Sequence, residues 1–182
     1  MNLFKDVPTW TDKEKGVLNV VIEIPKGESN KYEYDHEGGY FALDRTLYHQ
    51  MFHPFNYGFL PQTWYDDEDP VDVCLLSTYP LAQGCVVKAR VIGALDTSDQ
   101  SGRDLKVFAV PISKLDPRFD EVKSYSDLPT HVQSELYLHF KEIKKLELEK
   151  YDKVIINGWR EVAFAISEIK RAQAQYADKD NS

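Results

Sequence analysis

The period of the apolar positions divides the chain in two. From Val17 to Pro25, Leu18, Val20, Ile22 and Ile24 alternate with other residues, the two-residue period that turns one face of a strand toward a core. Shorter runs follow at Lys31 to Asp35 and Gly39 to Leu43, and the segments Val73 to Thr78, Cys85 to Leu95 and Leu105 to Pro111 are rich in β-branched residues. Pro25-Lys26-Gly27, Gly38-Gly39, Tyr79-Pro80 and the stretch Asp99 to Asp104, centred on Ser101-Gly102, separate these segments as turns. At least five strands with no helix between them predict an antiparallel sheet closed into a small barrel.

Beyond Thr130 the period lengthens. Val132, Leu136, Phe140, Ile143 and Leu146 recur every three or four residues, which puts them on one helical face, and Thr130 with Gln133 has capping-box spacing. A short strand is expected at Lys153 to Ile156, then a turn at Asn157-Gly158, then a second helical stripe of Trp159, Val162, Ala163, Ile166 and Ile169. The helices should pack on the barrel, and the polar tail after Ala177 should fray. The class is α+β, mainly β. A chain of 182 residues suits one domain over 1–182, since a single core commonly serves ~100–200 residues.

Charge narrows the partners. The formal net charge is -8 and the sequence pI is about 5.1, a balance that repels nucleic acid and anionic membrane. No run approaches the roughly twenty apolar residues of a membrane span, and the first residues lack the apolar segment of a secretory signal. A cytoplasmic protein is expected. Cys74 and Cys85 lie in apolar segments without a metal-ligand pattern, and both are expected to be small core residues.

The candidate chemistry is concentrated in Tyr65-Asp66-Asp67-Glu68-Asp69-Pro70-Val71-Asp72. By composition alone an acidic run is a solvated loop. In an extended chain, however, Asp67 and Asp69 project to the same side, and Pro70 bends the path so that Asp72 rejoins them before Val73-Cys74-Leu75-Leu76 enters the core. Converging carboxylates destabilise a fold unless cations neutralise them, and magnesium, with its preference for oxygen ligands and retained waters, suits such a set. An EF-hand is the competing pattern, but its central glycine and closing glutamate are missing here. Asp104 and Lys106 share strand parity, as do Lys31 and Glu33.

Together these residues carry a family resemblance. Asp67-Glu68-Asp69-Pro70-Val71-Asp72 resembles the signature of family I soluble inorganic pyrophosphatases. Further matches stand in the family's order: Val21-Ile22-Glu23-Ile24-Pro25, Lys31-Tyr32-Glu33, Asp44-Arg45, Asn56-Tyr57-Gly58, Tyr79-Pro80-Leu81, and Asp99 through Lys106 followed by Ala109-Val110-Pro111. The resemblance spans roughly Val17 to Ala172. It implies a five-stranded, oligonucleotide-binding-like barrel with flanking C-terminal helices, and hydrolysis of pyrophosphate to two phosphates with several Mg2+ ions. It also implies roles. Asp67, Asp72, Asp99 and Asp104 would hold metal, Asp69 would orient and deprotonate the attacking water, and Lys31, Arg45, Tyr57, Lys106 and Lys144 would hold phosphate oxygens. Glu23 and Glu33 would be outer members of the acidic network, and the assembly would be a homo-oligomer, commonly a hexamer.

Taken singly, each residue has a plainer reading: Glu23 facing solvent, Arg45 paired with Asp44, Tyr57 a core aromatic. Two rival classes also have to be set aside. A barrel that binds single strands would use the aromatic 13% of the chain but is opposed by the acidic balance, and a calcium module leaves Lys31, Arg45 and Lys106 without a purpose. The chain departs from the family pattern twice. His53 stands before Pro54 where a tyrosine is usual, and Ile143-Lys144-Lys145-Leu146-Glu147 has an isoleucine where the family has a phosphate-binding tyrosine.

Overall fold

The computed structural model describes residues 1–99 and 102–180, without the side chains of Asp99 and Asp180. β1 (Trp10–Asp12) pairs with β2 (Val17–Ile24). A separate hairpin follows, β3 (Asn30–Asp35) with β4 (Tyr40–Thr46), and then β5 (Asn56–Phe59), β6 (Asp72–Leu75), β7 (Val86–Asp99) and β8 (Gly102–Pro111). Hydrogen-bonded neighbours run β2–β5–β6–β8–β7, and β7 pairs back onto β2, so five strands close into a ring. Within it β6 and β8 run parallel, whereas the other four pairings are antiparallel. Strand direction can alternate around a closed ring only if the strand number is even, so a ring of five cannot be wholly antiparallel as the sequence reading expected.

The ring is apolar on both faces. Leu18, Val20, Ile22, Val73, Leu75, Leu105, Val107 and Ala109 share one cluster, closed by Ala165, Ile169 and Ala172 of α3 (Val162–Asp180). Their strand neighbours Cys74, Phe108 and Val110 belong to a second cluster, which Leu136 and Phe140 of α1 (Thr130–Glu142) cover. This is why β6 and β8 read as continuous apolar runs. Phe140 stacks on Phe55 with ring centroids 5.6 Å apart. Each large side chain buried in this way stabilises the fold by about 1.5–3 kcal/mol.

The C-terminal third differs from its sequence reading in several places. α1 starts at Thr130 with Pro129 in the cap position and no side-chain cap bond, so the capping box does not form; the Gln133 amide instead donates to the Leu128 carbonyl at 2.8 Å. α1 ends before Ile143, and Leu146 lies exposed beyond it. After α2 (Leu148–Tyr151), β9 (Ile155–Arg160) adds to β7. Gly158, at φ +109°, sits inside β9 where its partner strand shifts register, so a turn signal marks a bulge. Trp159 is therefore in a strand, not a helix, and stacks on Tyr125 at 4.9 Å. α3 continues three residues past Ala177, and Cys85, unlike buried Cys74, is exposed.

Candidate active site

One cleft of about 380 Å³ opens between the ring, the β3–β4 hairpin and the end of α1. β3 and β4 place Lys31 and Arg45 as direct cross-strand partners. Parallel pairing sets Asp72 of β6 against Lys106 of β8, and Asp104 reaches the same side two residues before Lys106. Tyr57 comes from β5. Its neighbours in the sequence serve the fold: the Asn56 amide ties Lys26, Ser77 and Leu81 together at 3.0, 2.7 and 2.8 Å, and a Cβ on Gly58 would stand 1.9 Å from the Val21 carbonyl, so only glycine lets β2 approach β5 there.

Asp67 and Asp69 also line the cleft, though not by strand parity. The Tyr65 amide donates to the Asp69 carbonyl at 2.8 Å, the Glu68 amide donates to the Tyr65 carbonyl at 3.1 Å, and Glu68 has φ +65°. The segment is a tight turn, and the turn brings both carboxylates to one side where the sequence reading invoked an extended chain. Ile143, Lys144 and Glu23 line the cleft as well. Asp99 ends β7 opposite Gly102, but its side chain lies outside the described residues.

Like charges crowd this cleft. Burial, then the Asp104 and Asp72 carboxylates, push the Asp67 carboxyl up to about 7, and its Oδ1 is buried without a partner. Glu23, buried and accepting from the Tyr34 amide at 2.7 Å, is raised well above the usual range, again chiefly by burial. Asp104 is raised by burial against the pull of Lys106. Burial alone would lower the Lys106 ammonium, but Asp104 and Asp72 outweigh it and hold it charged. Lys106 bonds Asp72, Asp104 (2.6 Å) and the Tyr57 hydroxyl (2.9 Å). Lys31 pairs with Glu33 and, at 3.4 Å, Asp44. Arg45 pairs with Asp44 and, at 3.1 Å, Glu147.

Asp69 is the open member, its side chain 63% exposed and 3.3 Å from His36 Nε2. His36 escaped the sequence reading because nothing near it in the chain marks it. His139, from the buried face of α1, escaped for the same reason. Among the described residues no group of three or more His, Cys, Asp or Glu has ready-made metal-ligand geometry. Salt bridges to Lys106 hold Asp72 and Asp104 instead.

The family model for inorganic pyrophosphatases matches residues 20–177. The chain belongs to the inorganic pyrophosphatase family. It is 42% identical to the inorganic pyrophosphatase of Aquifex pyrophilus over 95% of this chain and 96% of that one. To the inorganic pyrophosphatase of Saccharolobus solfataricus it is 45% identical, over 85% and 89% of the two chains. The crystal structure of the Thermus thermophilus inorganic pyrophosphatase superposes with a TM-score of 0.89 at 40% identity, covering 97% of this chain and 99% of the other. The five-stranded ring with C-terminal helices is thus the architecture of this pyrophosphatase family.

Proposed function

We propose that the cleft binds pyrophosphate together with Mg2+ and hydrolyses it to two phosphates, with the roles divided by position. Family I inorganic pyrophosphatases are metal-dependent hydrolases, and family membership makes pyrophosphate the substrate. Magnesium is our choice of metal because the available donors are carboxylate oxygens, which suit a hard cation.

The observation that carries the reading is the partnerless, buried Oδ1 of Asp67 among carboxylates held above their usual range. A buried acid left in that state lacks a positive partner. Asp67, Asp72, Asp104 and Asp99 would hold the metal. Divalent ions, when bound, supply neutralisation of the polyanion and acidification of water. Asp69, exposed and outside the Lys106 cluster, takes the proton of the attacking water. Lys31, Arg45, Tyr57, Lys106 and Lys144 surround the space left for phosphate oxygens, and the Arg45 fork suits a leaving phosphate on which charge accumulates. No covalent intermediate is needed, since positioning and electrostatics carry phosphoryl transfer to water.

We further read the chain as one domain working in the cytoplasm as a homo-oligomer, with six copies as the expected assembly and no nucleic-acid or membrane partner. Among the described residues no helix is long and apolar enough to cross a membrane. Light scattering after gel filtration measures the assembly. The activity itself is tested by phosphate release from pyrophosphate and from ATP, each with Mg2+. Pyrophosphate should turn over and ATP poorly, because no Gly-rich nucleotide loop stands in the chain; equal turnover of ATP would overturn the assignment.

A further inference from the structure

His53 and His139 face each other across the cleft wall with ring centroids 5.1 Å apart. Both are almost fully buried, at 4% and 2% exposure, and all four ring nitrogens lack a partner. An unmet buried polar group costs about 1–3 kcal/mol, so two such rings side by side mark a place suited to a polar partner. The neighbours select its charge. The charges that act on His53 are those of Lys31 and Lys106, and those on His139 are His53, His49 and Lys106. No carboxylate is among them, so this corner disfavours a cation and suits an anion.

We propose that His53, backed by His139, is a phosphate-contacting residue whose ring N–H donates to an oxygen of the bound pyrophosphate on the Lys31 and Lys106 side of the cleft. The proposal rests on the pyrophosphatase reading of that cleft. Burial, with Lys31 and Lys106, holds the His53 imidazole down to about 4, so it is neutral at working pH and adds a donor without adding charge. Burial likewise holds His139 down to about 3. His139 is a positioning residue: together with Phe55, whose ring lies 6.0 Å from His53 and 5.2 Å from His139, it packs against the His53 ring and restricts its rotation.

The test is the kinetics of His53→Phe, which keeps an aromatic ring and deletes the donor, at saturating Mg2+. KM for pyrophosphate should rise about tenfold, as loss of one hydrogen bond to a charged acceptor implies, while kcat stays within about twofold and the melting temperature does not fall. His53→Gln, which restores an N–H, should recover most of the affinity. An unchanged KM in His53→Phe would overturn the proposal. Should His53→Phe not fold, the wild-type protein labelled with 15N-histidine answers the same question. Methylenediphosphonate with Mg2+ should move one buried histidine ring to a hydrogen-bonded, slowly exchanging N–H, and no response at any ring would overturn it. Failure of the wild-type enzyme to release phosphate, with the ring response intact, would sink the hydrolytic reading and leave the anion subsite standing.

Discussion

Two dense charge clusters lie on opposite sides of the acidic turn, and they are built to opposite rules. In the cleft, Asp67, Asp72, Asp104 and Glu23 face one another, and Asp67, Asp104 and Glu23 are held above their ordinary range. Behind the turn, every acid has an arginine. Buried Asp96 accepts from Arg103 twice at 3.0 Å and from Arg160 at 3.0 and 2.9 Å. Glu168 accepts from Arg103, Arg171 and the Tyr65 hydroxyl at 3.1, 3.0 and 2.6 Å, and Arg171 forks onto Asp66 at 2.7 and 2.9 Å. Burial would raise Asp96, but its two arginines outweigh it and hold it below the usual range; Arg171 does the same for Asp66. Adjacent residues of one acidic run are thus divided. Asp66 serves the scaffold and Asp67 the cleft.

The contrast teaches how to tell a structural charge cluster from a functional one in this protein. A compensated cluster holds elements together, here tying β7, β8, β9 and α3 to the turn that carries the cleft carboxylates. An under-neutralised cluster stores unfavourable energy that only a ligand relieves. Substitutions on the two sides should therefore move different observables.

The largest effect belongs to the open acid of the cleft. Asp69→Asn should cut turnover by roughly two orders of magnitude or more while the melting temperature stays put. Near-normal turnover at saturating Mg2+ would remove Asp69 from the chemistry. On the compensated side, Arg160→Met leaves Asp96 with one arginine. It should cost about 2 kcal/mol, read as a fall of roughly 4–8 °C in melting temperature for a chain of this size, with kcat and KM per folded molecule retained. A kinetic effect without a thermal one would blur the division drawn here.

Smaller effects sharpen it. Ile143 caps α1, lines the cleft and stays out of both barrel cores, so it is a wall residue rather than part of the helix's buried stripe. Ile143→Tyr should lower KM for pyrophosphate up to about tenfold by adding a hydroxyl donor, with less change in kcat; a lower melting temperature with no gain in affinity would show overpacking instead. Smallest is a gain. Asp67 is raised from 3.8 to about 7 in the folded protein, so the folded state holds a proton that the unfolded state has released. Stability then falls as pH rises through that window, and the deficit is complete above it. Asp67→Asn should raise the metal-free melting temperature at pH 8 by about 3 °C and leave it unchanged near pH 3. No difference at pH 8 would mean that Asp67 is not under strain.

Much of this arrangement is legible in the chain, for definite reasons. The strand at Val17 to Ile24 and the parity of Asp104 with Lys106 survive folding, because a strand's geometry is local, although β2 is buried on both faces rather than one. The capping box at Thr130 and the turn at Gly158 fail because Pro129 and the β7 register shift, both features of context, override the local signal. The arginine network is invisible in the sequence because Asp66 and Arg171 stand 105 residues apart. His36 and His139 are hidden likewise: His36 meets Asp69 from the turn after β3, and His139 lines the cleft from a helix whose own pattern concerns packing.

The most direct test of the account is the rate of phosphate release from pyrophosphate as free Mg2+ is raised from a chelator-buffered zero. The under-neutralised cleft predicts essentially no release without metal and a saturable rise with it, right-shifted to higher Mg2+ in Asp72→Asn but not in Arg160→Met. Release that persists undiminished after thorough chelation would contradict the claim that these carboxylates await a cation.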